Sequence, residues 1–559
     1  MKRSFSKFTV FVVVFIFSLT AAKPAVMAGN EAQIFSDVPT ESWAVQPINS
    51  AIVSGLMGGM GGGIFGYGEP ITRAQFVTVL FNMFGWEGHS TGTPTFADVS
   101  RNDWFFPYVE AAAANGVIRS DREFRPNAPI TRQDMVVFLV RALGYGGRGS
   151  LAVQVEAFEE IPFRDVQQYA GYVIIAHDIG MISGVGDGLF APSSTATREQ
   201  AAAMLTRVNY RLIAPQGWVH GFYAFGAFGQ RGLIWDMDAV SFGWSQMELG
   251  GQGAWLNTGA AGGNPWVIPA GYELIANFPR ETSATANLNV FMETSGGLNE
   301  LISSETHRNQ AIAAILQEVT RTYDAIGRSP FDGVTINFEG LRGELARSDF
   351  NAFLTSLASA LRAANRTLYV TVHPSTIDGI YFDGYDLRTI GDLADRVILM
   401  AHDYHPRSLE GFIGTEWQRH AALTPISEVY RALRAITHPT TGVRDREKIA
   451  IAFSFPNIGW FIDENGNAIS PAPIVVSPET VIARMLQPDT HFGWSYTHRN
   501  PYLIYTTEAG ERVFLWYEDD RSIRDKMQLA RLFGITGSSL WRIGIVPNDP
   551  EWCVWGNFR

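Results

Sequence analysis

Cysteine is nearly absent from this chain of 559 residues, since Cys553 is its single example. One cysteine excludes an intrachain disulfide and any zinc site that is built from several cysteines. Runs of positive charge are missing as well: 43 basic residues stand against 55 acidic ones, for a formal net charge of −12. Nucleic-acid binding needs clustered Lys and Arg against the phosphates, so this composition argues against that class of function.

Long hydrophobic runs are confined to the start of the chain. Three basic residues within the first seven precede an apolar run from Phe8 to Leu19, and the small residues at 26–28 resemble a cleavage site. This pattern predicts a secretory signal peptide over residues 1–28, with an uncleaved N-terminal anchor as the alternative. No later stretch approaches the ~18 continuous apolar residues that cross a bilayer, so we expect no membrane span after cleavage and a secreted protein.

The rest of the composition is that of a folded protein. Hydrophobic residues make up 46% of the chain and charged residues 18%. At about 150 residues per domain, the length predicts about three to four domains. Aromatic residues reach 13%, with 15 Trp, which suits a sugar-binding cleft but also a large core.

A short motif occurs three times near the N-terminus. Phe-x-Asp-Val begins at residues 35, 96 and 163, at spacings of 61 and 67 residues. Each copy precedes a helical stretch, a glycine-rich turn and a Thr-Arg pair, in which the Thr is suited to cap a second helix. Repetition at this period predicts stacked copies of one small helical unit. The pairs are Thr72-Arg73, Thr131-Arg132 and Thr197-Arg198.

These three copies resemble the S-layer homology (SLH) domain, with repeats expected at 34–86, 95–145 and 162–212. The resemblance implies a mainly helical module that binds a pyruvylated secondary polymer of a bacterial cell wall, and therefore a protein located at the wall or surface layer. Because a cation at a helix start favours an anion, the Arg residues of the three pairs are candidate ligands for the polymer. Trp43 and Trp104 are candidates to pack on its sugars.

The alternative is that these Arg and Trp side chains only brace the repeats. The third repeat also departs from the pattern, because Tyr169 or Tyr172 stands near the position of the Trp. We therefore expect weaker binding there.

From Trp218 onward, apolar β-rich runs alternate with amphipathic stretches. Eight strands separated by helices predict an α/β fold, a (β/α)₈ TIM barrel over residues 217–548, with its active site at the C-terminal ends of the strands. A segment at about 463–515 is too long for a loop, and we expect a small α+β insertion that walls the cleft. The predicted strands are Val219–Phe225, Ala239–Trp244, Leu288–Glu293, Gly333–Glu339, Leu368–His373, Val397–His402, Ile449–Phe455 and Ser538–Ile543.

The fourth of these strands carries unusual polar residues. Because side chains alternate along a strand, Thr335, Asn337 and Glu339 are predicted to face the barrel interior. Polar groups in that position are costly unless they serve a purpose, which makes them candidates for the site. Asp332 has the opposite parity and is predicted to be structural.

The string Asp-Gly-Val-Thr-Ile-Asn-Phe-Glu at 332–339 resembles the DGxDxDxE signature of glycoside hydrolase family 18, the chitinase family. Met-Ala-His-Asp-Tyr at 400–404 resembles that family's MxYD motif, and Trp541 matches the Trp that floors its sugar site. Together with the N-terminal repeats, the pattern is closest to spore-cortex-lytic enzymes and peptidoglycan glucosaminidases.

The family's chemistry implies retaining hydrolysis assisted by the substrate, an exception to the two-carboxylate scheme. Glu339 would protonate the glycosidic oxygen while the sugar's own 2-acetamido oxygen attacks C1, and Glu339 would then act as base toward water. Asn337 stands where the family has an Asp, and Thr335 replaces another. Asn can orient the acetamide but carries no charge, so we expect slower catalysis, with a sugar-binding barrel without activity as an alternative.

Several other residues are candidate substrate ligands. His402 replaces the family's Tyr, and its N–H is expected to bind the acetamide oxygen unless Tyr404 takes over or His402 is merely a buried barrel histidine. Asp403 is expected to bind a sugar hydroxyl or to brace its loop. Trp244 is a plausible cleft residue at a strand end. Glu293 and His373 also end strands, but no motif supports them.

Three hypotheses follow for the whole chain. The first is a wall-anchored hydrolase that cuts β-linkages beside N-acetylglucosamine, most plausibly in peptidoglycan. The second is a barrel that binds an amino-sugar glycan without cutting it, and the third is a structural surface-layer protein. None requires a cofactor, and no metal site is expected, since the His and Asp residues lack metal-ligand spacing.

Overall fold

The computed structural model describes residues 34–88, 92–119, 122–260, 263–377 and 382–558. The predicted signal peptide at 1–28 lies outside these ranges. Sixteen α-helices are present in the described part. They are α1 Val45–Val53, α2 Arg73–Phe84, α3 Phe106–Ala114, α4 Arg132–Ala142, α5 Leu151–Phe158, α6 Ala170–Asp178, α7 Arg198–Leu212, α8 Glu273–Ala276, α9 Phe278–Thr282, α10 Leu298–Ser303, α11 Glu305–Thr320, α12 Gly343–Ala363, α13 Leu387–Leu393, α14 Ile426–Ile436, α15 Pro478–Met485 and α16 Asp520–Leu532.

Sixteen strands accompany them in the same ranges. They are β1 Val219–Tyr223, β2 Ala239–Gly250, β3 Gly253–Asn257, β4 Thr285–Glu293, β5 Gly333–Glu339, β6 Thr367–Val372, β7 Arg396–Leu399, β8 Ile449–Ser454, β9 Ile458–Ile462, β10 Ile474–Val475, β11 His491–Ser495, β12 Asn500–Thr506, β13 Arg512–Trp516, β14 Gly537–Ile543, β15 Asn548–Asp549 and β16 Trp552–Cys553.

A ring of backbone hydrogen bonds joins the three N-terminal repeats. The Ile71 N–H donates to the Ala196 carbonyl at 3.1 Å, that of Ala196 to Ile130 at 2.9 Å, and that of Ile130 to Ile71 at 3.0 Å. Each repeat therefore donates to one neighbour and accepts from the other. Equivalent pairs of helices from neighbouring repeats also contact each other: α1 with α7, α2 with α3, and α4 with α6.

The Asp of the repeated motif explains why the motif recurs. In the third repeat, the Asp165 carboxylate accepts from the backbone N–H groups of Phe190 and Ala191, each at 2.8 Å. These hydrogen bonds lower the pKa of Asp165, because they favour its charged form. Asp37 and Asp98 hold the equivalent loops of the first two repeats in the same way.

Eight parallel strands form a closed barrel in the C-terminal part. Neighbouring strands follow the order β1, β2, β4, β5, β6, β7, β8 and β14, and β14 pairs with β1 to complete the circle. The predicted (β/α)₈ fold is confirmed. The largest error in the predicted strand ends concerns β2, which continues past Trp244 to Gly250 and folds back as β3 in an antiparallel hairpin.

A five-stranded antiparallel sheet lies between β8 and α16, in the order β10-β9-β13-β12-β11. The sheet extends from residue 458, where β9 begins, to residue 516, where β13 ends. These two strands pair with each other inside the sheet. At its junction with the barrel, Lys526 Nζ lies 2.8 and 2.7 Å from the two carboxylate oxygens of Glu518. Both side chains are almost inaccessible to solvent, at 0% and 1% exposure.

The repeat module packs against the side of the barrel. Helices α5 and α7 contact the barrel helices α14 and α16. At this interface Arg434 Nε lies 2.7 Å from Asp178 Oδ2, and Arg434 also pairs with Glu159. The Tyr430 hydroxyl donates to Asp178 Oδ2 at 2.5 Å. Because the three ionic side chains are largely buried, this contact joins the two parts into one packed unit.

In residues 34–558, taken without the gaps given above, no helix is both long and apolar enough to cross a membrane.

Candidate active site

The inward face of β5 leads to the mouth of the barrel. Thr335 and Asn337 are buried, at 0% and 2% exposure, whereas the Glu339 side chain is 30% exposed. The Thr371 hydroxyl of β6 lies 2.6 Å from Asn337 Oδ1 and 3.2 Å from the Ile336 carbonyl. The strand therefore presents one accessible carboxylate above a buried amide.

A chain of hydrogen bonds supports this face from below. His220 Nδ1 lies 2.8 Å from the Ser539 hydroxyl, and its Nε2 lies 2.8 Å from the Ser241 hydroxyl. Ser241 Oγ is 2.6 Å from Thr335 Oγ1. Burial lowers the pKa of His220 to about 3, so the ring is neutral at neutral pH. Thr335 is thus part of the barrel's internal support, one layer beneath Asn337.

His373, at the end of β6, lies beside Glu339. Its Nε2 lies 3.7 Å from Glu339 Oε2, and its ring stacks on Phe382 with 4.1 Å between the centroids. The Tyr385 hydroxyl donates to the Phe338 carbonyl at 2.7 Å, which holds the end of β5 from the same side. No motif pointed to His373, but β5 and β6 are consecutive strands, so their ends necessarily meet in a barrel.

Glu293 ends β4 and is paired in register with Glu339. Its Oε1 accepts a hydrogen bond from the Ser295 hydroxyl at 2.6 Å, and its side chain is exposed. Asp332, by contrast, accepts from the Ala286 N–H at 2.9 Å and pairs with Arg280 at 2.5 Å. Asp332 therefore has the structural contacts that its parity predicts.

The loop after β7 places three candidate ligands near the mouth. The strand ends at Leu399 and not at His402 as predicted, so His402 and Tyr404 both lie on irregular backbone. His402 Nδ1 lies 3.0 Å from Asp403 Oδ2. Desolvation acts to raise the pKa of Asp403, but the nearby His402 and His405 and the hydrogen bonds with His402 and Ser454 together outweigh it, so the pKa is lowered.

Aromatic rings form one wall of the mouth. The Trp541 ring is partly exposed and lies 5.1 Å from Phe222 and 6.1 Å from Trp266, between ring centroids. Trp266 stacks in turn on Phe291 at 4.8 Å. Trp266 and Phe291 escaped the sequence analysis because neither belongs to a recognised motif.

The expectation for Trp244 needs correction. Its side chain is 3% exposed, stacks on Phe242 at 4.1 Å, and meets Phe331 and Tyr272 edge to face. The structure thus places Trp244 in the aromatic layer outside the strand, where one edge of it lines an apolar pocket beside Phe225. The physical reason is parity: Ser241 faces inward, so the ring three residues later faces outward.

The three repeat arginines all make bracing contacts. Each Nε donates to a backbone carbonyl of the next repeat, at 2.8 or 2.9 Å, and each guanidinium lies over the ring of the accepting Phe. The pairs are Arg73 with Phe124, Arg132 with Phe190, and Arg198 with Phe65.

The three arginines differ in how far their positive charge is available to a ligand. Arg73 is neutralised by an ion pair with Asp134, and Arg198 is 6% exposed. Arg132 lines an open cavity of about 320 Å³ together with Trp43 and Arg207. Trp43 and Trp104 are each 58% exposed, and in the third repeat Tyr169 is 39% exposed while Tyr172 is buried.

Within the described ranges, no three His, Cys, Asp or Glu side chains are grouped so that they could hold a metal ion.

Comparison with known families agrees with this geometry. The model of glycosyl hydrolases family 18 matches residues 207–545, more than half of the chain. The chain belongs to this family. The S-layer homology domain model matches three times, at 34–77, 95–136 and 162–202, so this family 18 hydrolase carries three SLH repeats. Such repeats indicate association with a bacterial cell wall.

Individual relatives match only parts of the protein. YdhD of Bacillus subtilis is 26% identical over 47% of this chain and 58% of its own. The S-layer protein sap of Bacillus anthracis is 28% identical over 33% of this chain and 22% of its own. The chain therefore spans about half or less of the length of these relatives. The solved spore cortex-lytic enzyme SleL of Bacillus cereus covers 67% of this chain and 77% of its own, at 21% identity and a TM-score of 0.47.

Proposed function

We propose that this family 18 member is a retaining hydrolase that cleaves β-1,4 linkages beside N-acetylglucosamine in peptidoglycan. The observation that carries the proposal is the accessible Glu339 at the C-terminal end of β5, in the register of the family's catalytic acid. That end of a (β/α)₈ barrel is where active sites lie.

In the proposed mechanism the substrate supplies the nucleophile. Protonated Glu339 donates to the glycosidic oxygen while the 2-acetamido oxygen attacks C1, and the C1–O bond breaks to leave an oxazolinium ion. Glu339, now a carboxylate, takes a proton from water as that water attacks C1, and the bond between C1 and the acetamido oxygen breaks to restore the 2-acetamido group. The configuration at C1 is retained because two displacements occur.

Asn337 is proposed to orient the acetamide. The Thr371 hydroxyl lies within reach of two oxygens, Asn337 Oδ1 and the Ile336 carbonyl, but has only one proton to donate. It can therefore donate to the Ile336 carbonyl and accept from the Asn337 amide, if that amide presents its Nδ2. A 180° turn of the amide places Nδ2 on Thr371 and leaves Oδ1 to accept from the acetamide N–H. In this arrangement the group is held, but no negative charge faces the oxazolinium ion.

Tyr404 is proposed to cap the acetamide oxygen. His402 Nδ1 lies 3.0 Å from Asp403 Oδ2, which leaves Nε2 as the ring nitrogen available to a sugar hydroxyl. We assign Nε2 and Asp403 to sugar hydroxyls instead, and Trp541 to the apolar face of the sugar.

A second candidate function is favoured by the same Asn337: a barrel that holds an amino-sugar glycan without cutting it. Its buried amide lacks the charge that the family's Asp supplies. Glycan binding requires only the aromatic wall and the polar loop after β7.

Anchoring is proposed to use the cavity of Trp43, Arg132 and Arg207, with a pyruvylated secondary wall polymer as partner. Two guanidinium groups beside an exposed indole suit an anionic sugar. The site that contains Arg73 is expected to be weaker, because Asp134 already pairs with that cation. This assignment also requires secretion of the chain, for which residues 1–28 are the proposed signal.

The enzyme proposal is tested by digesting purified peptidoglycan with the wild type and with Glu339→Gln. We expect the wild type to release fragments with new reducing-end N-acetylglucosamine, detected by mass spectrometry, and the variant to release none. If both proteins bind the glycan and neither cuts it or chitin oligomers, the second function replaces the first.

A further inference from the structure

Arg542 follows the floor residue Trp541 and lies in an unusual environment. One of its N–H groups donates to the Phe225 carbonyl, and its guanidinium lies 4.6 Å from the centroid of the Phe225 ring. The Phe225 ring is 5.3 Å from Trp266, which is 6.1 Å from Trp541. The cation is therefore separated from the sugar floor by two aromatic rings in contact with each other.

No acid balances this cation. Among the described residues, no carboxylate lies within ion-pairing distance of Arg542, and its other N–H groups donate to no side chain or carbonyl. Burial lowers the pKa of Arg542, and no nearby carboxylate opposes this effect. A half-buried guanidinium without a counter-charge costs desolvation free energy, which an anionic ligand would recover.

The Phe225–Gly226 segment beside Arg542 also forms a wall of an apolar pocket. The pocket has a volume of about 500 Å³ and is lined mainly by aromatic, proline and alanine side chains. A side-chain atom added at Gly226 would stand 3.6 Å from Arg542 Nη1, so the cation and the pocket share this short segment. Arg231 stacks on Phe228 at 4.2 Å on another side of the same pocket.

We propose that Arg542 and this pocket recognise the free lactyl carboxylate of a muramyl sugar that has lost its stem peptide, next to the N-acetylglucosamine being cut. The guanidinium binds the carboxylate, and the apolar wall accommodates the lactyl methyl group. This inference rests on the proposed peptidoglycan hydrolysis and deepens it, because a chitin chain has no carboxylate. Arg542 is thus a specificity-determining residue that separates peptide-free wall glycan from chitin.

The test uses peptide-free glycan strands in two forms: native, with free lactyl carboxylates, and reduced, with those carboxylates converted to alcohols. We expect the wild type to have a kcat/KM about tenfold higher on the native form, the effect of one charge-assisted hydrogen bond. Arg542→Gln is expected to bring this ratio near one, and Arg542→Lys to retain part of it. Arg524→Gln is the matched control, because Arg524 is exposed and pairs with Asp520 on α16.

The possible failures are distinguishable. A wild type that cuts both forms at equal rates, or an Arg542→Gln protein that keeps the full ratio, overturns the role of Arg542 and leaves the hydrolase proposal standing. A wild type that cuts chitin oligomers but neither strand form overturns the peptidoglycan assignment, and this inference with it. If Arg542→Gln does not fold, the Lys variant and the wild-type ratio still decide the question.

Discussion

Replacing Asn337 by Asp is the most informative change to this site. The side chain is 2% exposed and lies two residues before Glu339 on the same face of β5. A carboxylate there would face the positive charge that develops on the acetamide during the first displacement. Unit charges about 4 Å apart, at an effective dielectric constant of about 20, interact by about 4 kcal/mol.

Part of this gain is offset, because a buried carboxylate loses hydration and Thr371 supplies only one hydrogen bond. We therefore expect Asn337→Asp to raise kcat on chitin oligomers by about one to three powers of ten, with a lower melting temperature. The pH–rate profile should change as well. The wild type should show one carboxylate limb, from Glu339, and the variant two coupled ones.

The matched control is Asn289→Asp. Asn289 is also buried and faces the barrel, but it is in register with Thr335, one layer below Asn337. It should lose stability without gaining rate. A folded Asn337→Asp protein whose kcat equals or falls below that of the wild type at every pH would refute the electrostatic reasoning, and a two-limbed wild-type profile would refute the assignment of Asn337.

Four further changes test the surrounding structure. Lys526→Met should lower the free energy of unfolding by about 3–5 kcal/mol in urea titrations, because it leaves Glu518 buried and unpaired. The pKa of His220 is about 3 in the folded state and about 6.5 in the unfolded state, so the unfolded state binds more protons between these values. The free energy of unfolding should therefore fall as the pH drops from about 6.5 toward 3, by up to about 1.4 kcal/mol per pH unit. The His220→Gln variant should lack this pH dependence. Arg434→Ala should split one calorimetric transition into two, since it removes the ion pairs between the repeats and the barrel. His373→Gln should lower kcat about tenfold with little change in KM if His373 positions Glu339.

Each of these has an outcome that counts against it. Lys526→Met should be partly rescued by Glu518→Gln, which removes the stranded charge, and absence of rescue would contradict the ion-pair argument. If the stability of His220→Gln still falls between pH 6.5 and 3, another titratable side chain causes that pH dependence. A single transition in Arg434→Ala means that apolar packing alone joins the two parts. A change in KM alone for His373→Gln points to substrate contact.

Strand periodicity predicted the core of the candidate site because β5 is regular. Seven residues from Gly333 to Glu339 alternate in and out without a bulge, so parity alone placed Asn337 and Glu339 correctly. Trp244 was misplaced because the same parity argument was not applied to β2, in which Ser241 faces inward and Phe242 and Trp244 face outward. The end of β2 was also placed too early. The Gly250–Gly251 pair between two β-rich runs is a hairpin signal that would have extended β2.

Contacts between distant segments were beyond sequence reasoning. The Thr371 hydroxyl beneath Asn337 and the His220 network depend on which strands become neighbours and at what register. The bracing role of the repeat arginines depends on the ring that the repeats close, since each reaches a carbonyl in a different repeat. A sequence motif identifies a functional residue, but its hydrogen-bond partner is determined only when the barrel or the ring of repeats has assembled.

For the proposed wall hydrolase, the packed interface of Arg434, Asp178 and Tyr430 has a consequence for where cuts fall. A catalytic domain on a long flexible linker can reach glycan strands in every direction around its anchor. A barrel that is fixed to its anchor by helix packing can reach only strands within about one molecular diameter, and only in one orientation. Such an enzyme exhausts the few strands beside it and then stops while intact glycan remains nearby. The extent of cleavage would then be proportional to the number of anchored copies, and incubation time would cease to matter once the local strands are cut.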